Sequence, residues 1–345
     1  MKDYYEVTIG IPVYRSVKYI KETMYSALSQ TFPDIEFLIV DDCGNDGSMD
    51  VIKLLQSSHP RGGDIRVLCN VMNQGVSFSR NLIIDEARGR FLYFMDSDDI
   101  IEPQTIQVLY NAVVKNQAEI AYGSYDIIDK VNLAPTQAYQ KEPLLLSGEN
   151  ELAIYAFKHN NIFHVSTCNN LVNLDFLRHT GIKYINVSYW EDMAFTTEFV
   201  TKVSRAILLP DITYHYMLRP GSLSHYQPRE QLQKEEIYKN IVVLDYLKNK
   251  SKGLIGLPYL PHLCYYLEMN SFYVVCHVIK NRKMIVPKMS FEEIRHILFH
   301  PMAFMAIINF RHHLFSNLVF WLVGKLPLPI FVILIWLMGK NKKAI

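Results

Sequence analysis

Phe91-Leu92-Tyr93-Phe94-Met95-Asp96-Ser97-Asp98-Asp99 is the stretch on which the reading of this chain turns. Five apolar or aromatic residues in succession read as a buried strand, and the strand runs directly into three carboxylates. Side chains alternate faces along an extended backbone, so Asp96 and Asp98 point the same way. Two like charges held side by side repel, and a divalent cation bridging to a phosphate is the commonest relief. The stretch therefore points to metal-assisted chemistry on a phosphorylated substrate. The competing reading of an isolated Asp-x-Asp is a solvated acidic turn. The residues on either side decide between the two.

Upstream, Val7 to Tyr14 reads as a buried strand, and Ser16 to Gln30 carries apolar residues near helical spacing (Val17, Ile20, Met24, Leu28) with Ser16 as N-cap. Ile35 to Val40 is the next strand and ends at Asp41-Asp42. A turn-rich segment, Cys43-Gly44-Asn45-Asp46-Gly47-Ser48, leads into a helix to about Ser57. A short strand over Arg66 to Asn70 and a helix over Gly75 to Ala87 complete a β-α-β-α-β-α-β rhythm. That rhythm argues for a parallel sheet with right-handed crossovers, in which ligands sit beyond the carboxyl ends of the strands. Both acidic clusters fall at such an end, which favours function over a solvated turn. Downstream, Lys130 to Asn150 lacks periodicity and holds two prolines, so it reads as a loop. Asn150 to Asn160 reads as a helix, and Trp190-Glu191-Asp192 opens another. Beyond about Gln227 the pattern is mostly helical.

Composition bounds the class. Half of the 345 residues are hydrophobic and a fifth are charged, so the chain is globular rather than disordered. The net charge of +1 is unevenly spread: residues 1–225 carry −8 and residues 226–345 carry +9. An acidic front half argues against nucleic acid as a partner, and a basic tail suits an anionic surface. The five cysteines form no C-x-x-C pair and read as free thiols of a reducing compartment. No signal peptide is evident at the start, which places the body in the cytosol. Gly44 and Gly47 lack dinucleotide-fingerprint spacing, and His262, His277 and His296 are too dispersed for a metal site.

The motifs taken in order resemble glycosyltransferase family 2. They are Ile9-Gly10-Ile11-Pro12-Val13-Tyr14, Gln30-Thr31, Ile39-Val40-Asp41-Asp42 with Asp46-Gly47-Ser48, Asn73-x-Gly75 with Ser79-Arg80-Asn81, and Asp96-Ser97-Asp98-Asp99. Cys168-Asn169-Asn170-Leu171, Glu191-Asp192 and Tyr216-x-x-Arg219-x-x-Ser222-x-Ser224 continue the series. The resemblance implies an α/β GT-A (Rossmann-like) fold, with a mixed, mostly parallel sheet flanked by helices. It also implies inversion at the anomeric carbon, a nucleotide-sugar donor of the UDP-sugar class, a divalent cation (Mg²⁺ or Mn²⁺) and a saccharide or lipid-linked saccharide acceptor. The catalytic domain would span 1–226, with a nucleotide-binding half over about 1–125 and an acceptor half over 126–226. A helical region would follow over 227–345.

Carried over position by position, the resemblance implies that the backbone of Pro12, Val13 and Tyr14 and the carboxylate of Asp41 face the nucleobase, with Asp42 as the alternative to Asp41. Asn73, Gly75 and Arg80 would line the nucleotide site, Arg80 near phosphate or ribose. Asp96 would reach the ribose, with Ser97 beside it, and Asp98 would bind the metal. Asp192 matches the catalytic base. Arg219 to His225 would cover the donor phosphates, and His225 would add a metal contact. Three positions depart from the commonest family pattern: Cys168 for Trp, Asn170 for a basic residue, and Ser97 for Ala. The rival functions are a nucleotidyltransferase, which would want a Gly-rich basic loop where Pro12-Val13-Tyr14-Arg15-Ser16 stands, and a non-catalytic, membrane-associated binding protein of the same fold.

The tail over 314–345 is apolar to Met338 except at Lys325, and Lys340, Lys342 and Lys343 follow. Its longest uncharged run, Leu326 to Gly339, rises about 20 Å as a helix, short of the roughly 30 Å hydrocarbon core. It reads as a re-entrant or interfacial segment anchored by those lysines, with a packed C-terminal helix as the first alternative and a spanning helix that tolerates Lys325 as the second. The protein is thereby expected to be cytoplasmic, peripheral or monotopic at the inner face of the cell membrane.

Overall fold

The computed structural model describes residues 2–129, 134–158, 166–218 and 231–341. The chain divides into two compact units, residues 1–152 with 164–226, and residues 153–163 with 227–345.

The first unit is built on β1 (Tyr5–Val13), α1 (Ile20–Leu28), β2 (Ile35–Asp41), α2 (Ser48–Ser58), β3 (Ile65–Cys69), α3 (Val76–Glu86) and β4 (Gly89–Phe94). It continues through β5 (Ile100–Ile101), α4 (Thr105–Lys115), β6 (Ile120–Asp129), β7 (Ala134–Tyr139), β8 (Leu144–Ser147), β9 (Asn170–Asn173), α6 (Leu174–Thr180), α7 (Glu191–Phe199) and β10 (Arg205–Leu218), while α5 (Glu151–Lys158) falls in the second unit from residue 153 on. Strand order in its sheet is β3-β2-β1-β4-β9-β6-β10-β5, with β7 beside β6 and β8 beside β10. The four strands β3, β2, β1 and β4 are parallel, as the rhythm of the first hundred residues requires. Val7, Ile9, Ile11 and Val13 are buried together with Thr8, so β1 is covered on both faces. The short strand β9 then joins β4 and β6 antiparallel to both, and the sheet is mixed from there on.

Within the stretch 130–150, which reads as a loop for lack of periodicity, residues 134–139 and 144–147 are strands. Pro135 is tolerated in β7 because that strand pairs antiparallel with β6 alone, and β8 pairs with β10 alone, so both are edge additions. The helix after β1 also begins later than expected. Its N-cap is Tyr19, without a side-chain cap, while the Ser16 hydroxyl lies 2.6 Å from that of Ser97.

Helix α3 sits on β1 and β2 and touches α6. Its approach depends on Gly10, where a Cβ would stand 2.4 Å from the Ile83 methyl. Behind the sheet's working end, Glu36 is buried and takes Arg66 Nε at 2.8 Å, the Thr8 hydroxyl at 2.6 Å and the Arg88 N–H at 2.8 Å. A buried carboxylate with this many donors is satisfied, not stranded.

The second unit holds β11 (Leu232–Gln233), α8 (Lys234–Ser251), α9 (Leu260–Asn281), β12 (Ile285–Val286), α10 (Phe291–Ile297), α11 (Phe304–Ile307), α12 (Leu314–Val323) and α13 (Leu328–Asn341). Helix α9 is the hub against which α8, α10, α12 and α13 pack. A buried ion pair, Lys248 to Glu268 at 2.9 Å, crosses α8 and α9, and Lys248 Nζ also donates to the Ile297 carbonyl. Helices α12 and α13 break at Pro327, and among the described residues no helix is long and apolar enough to cross a membrane.

Candidate active site

The carboxyl ends of β1, β2 and β4 define the working edge of the parallel sheet. The loops that leave them hold several non-glycine residues in left-handed backbone, Arg15 (φ 52°), Cys43 (φ 61°) and Asn45 (φ 51°). Such conformations cost of order 1–3 kcal/mol each and persist where the surroundings impose them.

Asp42 organises the first half of this edge. It is buried, and its carboxylate accepts from Asn70 Nδ2 (2.7 Å), the Gln74 N–H (2.8 Å) and the Gly75 N–H (2.9 Å). Its own N–H donates to the Val13 carbonyl, tying the β2 exit to the end of β1. The Asn73 amide reaches the Asp42 carbonyl at 3.4 Å. Gly75, at φ 87°, precedes α3 in a conformation that a side chain would strain. Asp41 is half-buried and its carboxylate accepts the Cys43 N–H at 3.0 Å. Pro12 and Val13 close β1, and Tyr14 is exposed with the Arg15 guanidinium 5.1 Å from its ring centre.

The second half centres on Arg80, which is buried on α3. Its Nη1 donates to Asp192 at 2.6 Å and to Glu191 at 2.9 Å, and its Nη2 donates to Asp96 at 3.0 Å. Three carboxylates from two separate parts of the chain thus share one guanidinium. Burial works to lower its pKa, and the charges of Asp192 and Asp96 outweigh that and hold it well above the ordinary value. Glu191 and Asp192 open α7 behind Trp190, which caps the helix in left-handed backbone (φ 62°) with no side-chain cap. Burial pushes the Asp192 carboxyl up to about 7; Arg80 and the Thr167 hydroxyl, at 3.2 Å, pull it down, and Glu191 and Asp96 add to the rise. An acid that titrates near neutrality and keeps 21% of its side chain exposed is a candidate proton acceptor.

The acidic stretch itself splits by role. Asp96 leans to Arg80, and its N–H lies 3.3 Å from the Tyr214 hydroxyl. Ser97 pairs with Ser16, and Asp98 is half-buried beside it. Asp99 turns inward and accepts from the Tyr214 hydroxyl at 2.7 Å and the Met217 N–H at 2.9 Å. Burial first, then the charges of Asp98 and Asp96, raises its pKa well above the usual carboxylate range. Asp99 is therefore an anchor between the acidic turn and β10. Cys168 and Asn170 are buried, and the Asn170 amide holds the Thr167 carbonyl at 2.7 Å. Arg219 and His225 lie outside the described residues.

Arg80, Asp96 and Asp192 thus meet in one place, and Asp42, Asn73 and Gly75 in another. Sequence reasoning passed over Glu191 as a site residue, and Thr167 and Tyr184 altogether. Only the adjacency of Glu191 to Asp192 was a usable signal.

A divalent cation would find hard oxygen ligands here. Asp96 and Asp98 stand two residues apart at the end of β4, and Asp96, Glu191 and Asp192 outnumber the single guanidinium that joins them. Among the described residues no group of three His, Cys, Asp or Glu side chains is placed to enclose an ion. An ion held through one or two carboxylates takes its remaining ligands from water and substrate phosphates, as Mg²⁺ commonly does.

The mixed sheet flanked by helices, with its acidic edge at this position, has the GT-A fold. The family model "Glycosyl transferase family 2" matches residues 8–181, half of the chain, and the protein belongs to that family and is a glycosyltransferase. It is 24% identical over 222 residues to glycosyltransferase GlyG of Streptococcus pneumoniae, covering 63% of this chain and 72% of the relative. It is 27% identical over 239 residues to WfaP of Escherichia coli, covering 68% and 86%; WfaP is a UDP-Glc:alpha-D-GlcNAc-diphosphoundecaprenol beta-1,3-glucosyltransferase. Among solved structures, S. aureus TarS in complex with UDP-GlcNAc superposes with a TM-score of 0.64 at 18% identity, covering 93% of this chain and 90% of that one.

Proposed function

We propose that the protein transfers a sugar from a UDP-sugar to a hydroxyl of a lipid-linked saccharide, with inversion, in the synthesis of a cell-surface polysaccharide. The observation that carries this reading is the convergence of Asp192 on α7 with Asp96 at the end of β4, through Arg80. A carboxyl raised to about 7 beside the end of β4 supports Asp192 as the proton acceptor in this reading. The similarity to WfaP supports the UDP donor and the lipid-linked acceptor, and the similarity of the fold to TarS supports the donor.

In the proposed reaction Asp192 takes the proton of the acceptor hydroxyl as its oxygen bonds the anomeric carbon. The bond from that carbon to the diphosphate oxygen breaks on the opposite side, and UDP leaves with the bonding pair. Asp98 would hold the Mg²⁺ or Mn²⁺, which supplies stabilisation of charge on the leaving diphosphate. The donors around Asp42 are spent on the loop it holds, so Asp41 is the carboxylate of the pair left to face the uracil. Asn73, Gly75 and the β1 exit at Pro12, Val13 and Tyr14 would complete that wall, and Arg219 and His225 belong to the proposed cover of the donor.

The test is a screen of nucleotide sugars for UDP release with Mn²⁺ present. One UDP-sugar should turn over, and Asp192→Asn should lower turnover by about 10²–10⁴ while donor binding by calorimetry persists. Turnover of no nucleotide sugar, or full activity of Asp192→Asn, would remove the reading.

The tail supports a membrane-facing location on the cytoplasmic side. Phe315 is 79% exposed and Ile333 61%, and Trp336 is also exposed. Lys325 and Lys340 stand 3.9 and 3.8 Å from the ring centres of Trp321 and Trp336. Apolar residues flanked by Trp and Lys suit the headgroup layer of an anionic bilayer. Removing residues 314–345 should lower co-sedimentation with anionic vesicles; unchanged co-sedimentation would assign the tail to packing.

A further inference from the structure

We infer that Arg80 is a positioning residue for the base, joining the start of α7 to the acidic end of β4, rather than a contact to the donor. The inference rests on the assignment of Asp192 as base and goes beyond it by naming what places that base.

Helix α3 holds the chain leading to α7 at three points. The Ser77 hydroxyl donates to the Val187 carbonyl at 3.0 Å. The Asn81 side chain takes the Tyr184 N–H and donates to the Tyr184 carbonyl, both at 2.8 Å. The Tyr184 ring lies flat on Phe195 of α7, 4.2 Å between centres, and the Arg80 guanidinium stands 5.5 Å from the centre of the same ring. The turn of α3 that carries the Ser79-Arg80-Asn81 motif is therefore the seat of the segment that delivers Asp192.

The guanidinium completes this arrangement. Asp96, Glu191 and Asp192 repel one another, and left alone they would spread. Arg80 itself is 3% exposed, so the guanidinium end of these pairs is little screened, whereas the Asp96 side chain keeps 33% of its surface open to water. Its Nη1 and Nη2 are both committed to carboxylates, and its buried Nε–H has no hydrogen-bond partner among the described residues. A lysine would supply the charge but not the planar fork that reaches two groups from one nitrogen and a third from the next. The groups facing Asp192 are Arg80 and Tyr184, Asp96 from the end of β4, Thr167 and Cys168 from the approach to β9, and Glu191 on its own helix.

The experiment compares Arg80→Gln, Arg80→Lys and Glu191→Gln in the full chain with Mn²⁺ and the UDP-sugar that the screen identifies. Arg80→Gln should lower kcat roughly 100-fold, the loss expected when a reacting group shifts by about 1 Å, with the donor KM little changed. Loss of the positive charge should move the acidic limb of the kcat profile to higher pH by about one unit. Arg80→Lys should recover part of kcat and most of the pH shift. Glu191→Gln removes a negative neighbour of Asp192 and should move the limb to lower pH, a readout that stands even if the Arg80 variants fold poorly. A raised donor KM at unchanged kcat in Arg80→Gln would make Arg80 a donor contact and overturn the inference. An acidic limb that stays fixed in Glu191→Gln would overturn it as well. Asp192→Asn is measured alongside. If it is inactive, a negative Arg80 result counts against the positioning role alone; if it is active, the base assignment falls and the inference with it.

Discussion

Asp42 and Arg80 are two hubs at the same edge of one sheet, and they are opposites. Asp42 is a single carboxylate that accepts three N–H groups, all from the turn between β3 and α3. Arg80 is a single cation that serves three carboxylates, drawn from β4's exit and from α7. The first is balanced: every group that it holds is neutral, and its charge is spread over their dipoles. The second carries an excess of negative charge over the one guanidinium that joins it among the described residues. A balanced hub makes a rigid wall. An unbalanced one suits a site, because a cation that arrives there is drawn in.

The contrast can be broken from either side. The larger expected effect is on stability at the balanced hub. Asp42→Ala takes the charged acceptor from two part-buried N–H groups of the turn, at about 1–3 kcal/mol each, so the variant should lose about 2–6 kcal/mol in denaturant unfolding. If it unfolds like the parent chain, the turn is held by something other than Asp42. The smaller effect is on the pH dependence of the unbalanced hub. Asp192 must be ionised to accept a proton, and its pKa is raised to about 7. Donor kcat/KM should then fall about tenfold per pH unit below 7 and level off above it. The sign for stability is opposite. A carboxyl with a raised folded pKa binds its proton more tightly in the folded chain than in the unfolded one, so this group favours folding most at low pH. That contribution fades as pH rises from about 4 to about 7. An acidic limb that stays near pH 4 would show that water reaches the 21% exposed Asp192 side chain freely enough to cancel the burial.

What the sequence disclosed follows the same division. Local pattern sufficed for the parallel half, where Val7 to Val13 and Ile35 to Val40 are continuous apolar runs ending in acids. It failed at β9, only four residues long, and at β7 and β8, where Pro135 and Pro143 imitate a loop. Edge strands need few apolar residues and tolerate proline, so neither periodicity nor composition marks them. The acids of the site were visible because each ends an element. Their connection was not, because Arg80 meets Glu191 and Asp192 across more than a hundred residues of chain. Nor does spacing show that Asp42 is spent on the turn while Asp99 faces the core.

The seat of α3 on β1 has a consequence for how far the two hubs stand apart. Ile83 fits where position 10 has no side chain, and even one carbon there would overlap its methyl. Arg80 lies one helical turn from Ile83 on the same element, so lifting the helix would drag the guanidinium with it. The spacing of the charged groups is thus gauged by a gap one methyl wide on the first strand, and the smallest residue in the chain acts as the shim for its most highly charged pocket.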